Sequence, residues 1–214
     1  MNYLRSLVSG CLLLSSAGAV SSAPVAQWEL GLVLTRKPDL ESGTKLYATC
    51  SACHGMKGEG ASDGTVPVIA GQSYTVLAKQ IVDFRAGVRS DPRMEHSVDR
   101  PHLSFSQPIA DVALYVSQLT PPPPKPTPVG VNVGQGAMAY ARVCARCHGQ
   151  LAEGKEDTLA PRLAGQHYAY ILSQLDAGVR GSRRTMVQSH SGFQKSLSRS
   201  ELEGIAGYLT GRGP

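Results

Sequence analysis

The motif Cys-x-x-Cys-His occurs twice in this chain, as Cys50-Ser51-Ala52-Cys53-His54 and as Cys144-Ala145-Arg146-Cys147-His148. No other feature constrains the fold as strongly. Two thiols three positions apart on a helical turn can each form a thioether to one vinyl group of a haem, and the adjacent His then sits under the iron. A zinc site would need four thiolates around one ion, which the 94 residues between the pairs make awkward. A dithiol of thioredoxin type accounts for neither the His nor the duplication. The motifs predict two covalently bound haem c groups, attached at Cys50, Cys53, Cys144 and Cys147, with His54 and His148 as proximal ligands.

The spacing of 94 extends well beyond the motifs. It carries Gly60 onto Gly154, Pro67 onto Pro161, Ala70-Gly71-Gln72 onto Ala164-Gly165-Gln166, Tyr74 onto Tyr168 and Gln80 onto Gln174. A three-residue shortening then aligns Gly87-Val88-Arg89 with Gly178-Val179-Arg180, and Val112-Ala113 and Tyr115 match Ile205-Ala206 and Tyr208. Self-similarity at this length predicts two copies of one domain. Between them, six of the eight residues Pro121 to Pro128 are proline, a composition that favours a semi-rigid polyproline II strap of roughly 25 Å.

Within each copy the pattern is helical. Amphipathic stretches lead into the haem motifs (Gly43 to Tyr47, Gly136 to Tyr140), helices begin near Tyr74 and Tyr168, and final helices cover Ile109 to Leu119 and Ser200 to Leu209. Ile109, Val112, Ala113 and Val116 have the spacing of one helix face. Ser200 and Glu203 suggest a capping box. Aromatic residues make up only 6% of 214 residues, thin material for two small cores. A large flat cofactor in each would supply the missing apolar bulk.

The fifth cysteine, Cys11, lies in a segment with a short basic start, an apolar run and small residues through Ala23. That is the layout of a secretory signal peptide. The predicted organisation is a signal peptide at 1–23, a first domain at 24–120, a proline-rich linker at 121–129 and a second domain at 130–214. Export to a periplasm follows.

Each iron needs a sixth ligand, commonly Met or His. Met94 and Met186 lie 40 and 38 residues after their proximal His, in corresponding segments, and are the expected axial ligands. His96, His102 and His190 compete, but do not align between the halves. The backbone carbonyls of Pro67 and Pro161, 13 residues after each His, are expected to accept the His Nδ1–H and orient the ring. Arg89 and Arg180 are candidates to pair with haem propionates. From Pro24 to Thr120 nine Lys and Arg face ten Asp and Glu, a net of −1. From Gly130 to Pro214 ten face six, a net of +4. Arg180, Arg183 and Arg184 crowd the segment before Met186, which suggests an acidic docking partner for the second half. The whole-chain charge of +5 gives no case for nucleic acid.

With the two Cys-x-x-Cys-His-Gly motifs, the paired Pro-x-Ile/Leu-Ala-Gly-Gln segments (Pro67 to Gln72, Pro161 to Gln166), Gly-Val-Arg and the following Met, the chain resembles the cytochrome c4 family of exported dihaem cytochromes c. The resemblance implies an all-α fold of two tandem class I cytochrome c domains with His/Met haems. It implies single-electron transfer between periplasmic or membrane respiratory partners: a respiratory complex, a terminal oxidase or a periplasmic dehydrogenase. Peripheral membrane association is a further expectation. The role of a free electron carrier, not an enzyme, is expected first. The alternative is an electron-accepting subunit of a periplasmic oxidoreductase such as a thiosulfate dehydrogenase. The first half is one residue shorter than the second between its Tyr and its first Cys, leaving open which residues join its first and last helices.

Overall fold

The computed structural model describes residues 22–183, 190 and 196–213. The described residues are helical apart from turns, extended loops and one isolated bridge between Lys155 and Ala160. The helices are α1 (Ser22–Leu34), α2 (Leu40–His54), α3 (Tyr74–Arg85), α4 (Pro92–Ser97), α5 (Ser106–Ser117), α6 (Val133–Val143), α7 (Ala145–His148), α8 (Tyr168–Val179) and α9 (Arg199–Thr210). No helix among the described residues is long and apolar enough to cross a membrane.

Two cores form, one on each side of the proline-rich stretch. The first gathers Val33, Tyr47, Leu77, Ala78, Val82, Ile109, Val112, Ala113 and Val116. The second gathers Tyr140, Ala145, Ile171, Ile205, Ala206 and Leu209. In each, the helix that leads into the haem motif crosses the last helix of that half. Asp39 starts α2 by accepting a hydrogen bond from Ser42 N (2.8 Å), and Asn132 starts α6 in the same way from Gln135 N (3.0 Å). The crossings are made at glycines. A Cβ at Gly43 would collide with the Asp111 carbonyl, and one at Gly136 with the Gly204 carbonyl. One turn on, the Tyr47 and Tyr115 rings pack at 5.0 Å, and those of Tyr140 and Tyr208 at 5.4 Å. These pairs settle the helix contact that the shorter first half had left open.

The one-residue difference has a structural outcome. In the first half α2 runs unbroken through Cys50 to His54. In the second the extra residue interrupts the helix at Cys144, so that α6 stops and α7 carries Cys147 and His148 alone. The capping box at the last helix falls two residues earlier than expected: Ser198, not Ser200, caps α9, and its partner is Glu201.

No helix was expected between Pro24 and Leu34, yet α1 packs against α3 and α5 and buries Ala26, Glu29 and Val33. The proline-rich stretch lies against α9: Lys125 N donates to the Thr210 carbonyl (3.2 Å) and Thr127 Oγ1 to the Gly207 carbonyl (2.9 Å).

The halves meet in a seam with local twofold symmetry. The Gln166 side chain accepts from Val68 N (2.9 Å) and donates to Val68 O (2.8 Å). Its repeat partner Gln72 accepts from Arg162 N (3.0 Å) and donates to Arg162 O (3.2 Å). Val68 and Arg162 are themselves repeat equivalents.

Candidate haem sites

Each Cys-x-x-Cys-His motif ends at a turn that holds its histidine. Gly55 and Gly149, directly after His54 and His148, have φ of +77° and +85°, a left-handed conformation that glycine adopts at little cost. A side chain there would run into Glu59 or Glu153. The glycine after each motif therefore meets a backbone requirement as well as a steric one. Tyr47 and Tyr140 each donate a hydrogen bond of 2.7 Å to these glycine carbonyls. The glycine-rich loops then fold back, with Gly60 N on the His54 carbonyl and Gly154 N on the His148 carbonyl, both at 2.8 Å.

That return brings the proline carbonyls to the rings. Pro67 O stands 3.0 Å from His54 Nδ1, and Pro161 O stands 2.8 Å from His148 Nδ1. A carbonyl only accepts, so each Nδ1 carries the proton and each Nε2 is left with its lone pair, the form in which imidazole binds a metal. Burial is the main cause holding both rings below their ordinary pKa of 6.5, so they stay neutral.

All four thiols are free. Burial pushes Cys50 up to about 11 and Cys144 up to about 12. A redox dithiol of thioredoxin type works through a lowered thiol pKa, so these shifts argue against that chemistry.

The arginines mark where an anionic group belongs. Arg89 donates to Gln80, to Tyr170 Oη and to Gln174 Oε1 (3.3 Å), while Arg183 donates to the same Gln174 oxygen (2.8 Å). Two guanidinium groups thus converge at the seam, and no carboxylate pairs with either among the described residues. Arg183 Nε is buried without a partner, and burial next to Arg89 lowers the Arg183 pKa to about 10. Haem propionates would supply the missing charge. Together with the oriented imidazoles and the free thiols, this makes the residues present a fit for haem.

This arrangement corrects the register of the repeat. Arg183, not Arg180, is the counterpart of Arg89, and Arg180 is exposed. Gly87 (φ +65°) corresponds to Gly181 (φ +72°), and the amides of Val88 and Arg89 bond to the Asp83 carbonyl as those of Ser182 and Arg183 bond to Ala177. The constant spacing of 94 continues through the arginine, and holding it would have identified Arg183 from sequence. The inward turn of Arg183 also removes it from the expected basic docking cluster. Arg184 and Met186 lie outside the described residues.

Met94, the expected sixth ligand of the first site, sits in α4, partly buried against the first core. Its competitors His96 and His102 turn outward onto Asp99, with Nδ1 to carboxylate distances of 3.6 and 2.6 Å. In the second half the His190 ring lies 5.9 Å from the His148 ring, centre to centre.

Comparison with known proteins agrees with this architecture. The family model "Cytochrome c" matches residues 40–120, and "Cytochrome C oxidase, cbb3-type, subunit III" matches residues 131–209. Fold and site together define a tandem c-type cytochrome, an electron-transfer protein that carries two covalently bound haem c groups. Cytochrome c4 of Stutzerimonas stutzeri is 29% identical over 191 residues, covering 81% of this chain and 89% of that protein. A thiosulfate dehydrogenase electron acceptor from Stutzerimonas stutzeri strain A1501 is 26% identical, covering 85% and 91% respectively. The crystal structure of reduced recombinant cytochrome c4 from Pseudomonas stutzeri superimposes with a TM-score of 0.71 at 25% identity, covering 82% of this chain and all of that one. The chain belongs to the cytochrome c4 family.

Proposed function

We propose that this chain is an exported carrier that passes single electrons between periplasmic or membrane respiratory partners. The observation that carries the reading is the twice-built site: a buried neutral imidazole, locked through Nδ1 on a proline carbonyl, beside two free thiols. Cys50 and Cys53 attach the first haem and Cys144 and Cys147 the second, with His54 and His148 as proximal ligands. Met94 completes the first iron and Met186 the second. The boundaries that go with this are a signal peptide at 1–23, domains at 24–120 and 130–214, and a linker at 121–129. Each bound haem takes up and releases one electron. The chain holds the rings, excludes water from them and neutralises charge at the seam through Arg89 and Arg183.

A second reading of the second iron has its own observation, the approach of His190 to His148. The test is a potentiometric titration followed by optical spectroscopy, together with single variants. Two one-electron steps are expected, with a thioether-to-ferric-iron band that loses one contribution in Met94→Ala and the other in Met186→Ala. If Met186→Ala leaves the band intact and His190→Ala changes the second haem, His190 is the ligand.

The likeness to a thiosulfate dehydrogenase electron acceptor supports the alternative role of an electron-accepting subunit in a periplasmic oxidoreductase. Purification from native cells separates the two. A dehydrogenase that stays bound through high salt supports the subunit role, and a free cytochrome supports the carrier.

A further inference from the structure

The helix α1 lies before the residues that match the cytochrome c family model, and one arginine ties it to the segment that carries Met94. Arg85 is the last residue of α3. Its Nη1 donates to Glu29 Oε1 of α1 (2.7 Å), its Nε donates to the Val98 carbonyl (2.9 Å), and its Nη2 donates to the Leu103 carbonyl. Both side chains are almost fully buried, at 6% and 9% exposure for Arg85 and Glu29. Val98 is the residue that closes α4, and its own amide bonds back to the Met94 carbonyl (3.0 Å). A continuous path therefore runs from Glu29 through Arg85 and Val98 to the backbone of Met94.

We propose that Glu29 and Arg85 are positioning residues that fix the Met94 segment on the distal side of the first haem. The proposal rests on Met94 as the sixth ligand of that iron. The guanidinium has the geometry for the task. Its planar fork presents fixed N–H directions, so a single side chain gathers two carbonyls from one loop and a carboxylate from another helix. A buried guanidinium without a carboxylate would be strongly disfavoured, so Glu29 is what lets Arg85 stay inside.

The device belongs to one half alone. Where α3 ends in Arg85, the equivalent helix α8 ends in Val179, and where α1 precedes the first half, the proline-rich stretch precedes the second. Only the first haem is tuned by it.

The experiment uses the full-length holoprotein in three variants, Glu29→Gln, Arg85→Gln and Arg85→Lys, with Met94→Ala as the reference. Three properties are read: the thioether-to-ferric-iron band, the two midpoint potentials and the melting temperature. Arg85→Gln should lower the band by up to about half, since one of two haems is affected, and should move one midpoint while the other holds. Arg85→Lys keeps a buried cation beside Glu29 but loses the fork. It should recover part of the melting temperature while the band and the midpoint stay shifted. Glu29→Gln, which keeps an acceptor for Nη1, should fold and give a smaller shift of the same midpoint. The proposal is overturned if the variants melt earlier but keep both midpoints and the band, or if the second haem is the one that shifts. A Met94→Ala protein with an unaltered band overturns the ligand assignment, and the positioning role with it.

Discussion

His167 is a histidine with no place in either motif. It lies at the seam, 2% exposed, with Nε2 2.9 Å from the Glu59 carbonyl and Nδ1 buried without a partner. The carbonyl accepts from Nε2, so the ring is the neutral Nε2–H form. Burial is the largest cause holding its pKa below 6.5, with the charge of Lys125 adding to it. The folded state therefore binds fewer protons than the unfolded state as pH falls below 6.5. Stability should rise with pH in that window, by at most about 1.4 kcal/mol per unit for this one group. Thermal unfolding of the holoprotein between pH 5 and 7, compared with His167→Gln, checks this, and the variant should show the flatter profile. At this scale much of the site was legible in the sequence. The spacing of 13 residues was enough to place the Pro67 and Pro161 carbonyls on the two imidazoles, because a short loop between a fixed histidine and a proline leaves little freedom. The counterpart of Arg89 was misread because Gly-Val-Arg recurs nearby, and a local match in letters displaced the alignment that the backbone keeps.

The elements depend on glycine where two helices touch. Gly136 lies against the backbone of Gly204, so Gly136→Ala drives a methyl into a carbonyl on the opposite helix, and neither backbone can move without disturbing the Tyr140–Tyr208 pair below. Overpacking of this kind costs about 1–3 kcal/mol. Gly43→Ala should have a cost of the same order in the first half. Differential scanning calorimetry reads both, and if the halves melt separately only the substituted one should shift. The Glu29–Arg85 pair makes the same point about α1. Leaving Arg85 without its carboxylate, as in Glu29→Ala, should destabilise the first half by about 3–5 kcal/mol. The helices that end in the haem motifs and the last helices were legible because they are amphipathic and repeated. The break at Cys144 and the whole of α1 were not. The first follows from one added residue that forces the chain to restart its helix while keeping Cys147 and His148 in place. The second is held by contacts with α3 and α5, and Glu29 and Arg85 lie 56 residues apart. Long-range burial of that kind leaves no local pattern.

For the whole molecule, the hydrogen-bond exchange between Gln72 and Arg162 on one side and Gln166 and Val68 on the other predicts a reciprocal result. Gln166→Ala should strip protection from the Val68 amide and leave Arg162 protected, and Gln72→Ala should do the reverse. Each lost bond costs about 0.5–1.5 kcal/mol. Hydrogen exchange resolved to single amides measures it. The two-domain plan and the haem count were readable from the repeat alone. The seam was not, since the same glutamines could have served equally well within their own halves, and only the folded chain shows that each reaches across. That glutamine exchange reads the same from either half and has no forward and no back. Whatever sense of direction an electron acquires in crossing this molecule must come from where the twins differ: a helix riveted to one of them, a strap lying on the other, and an excess of positive charge on the second.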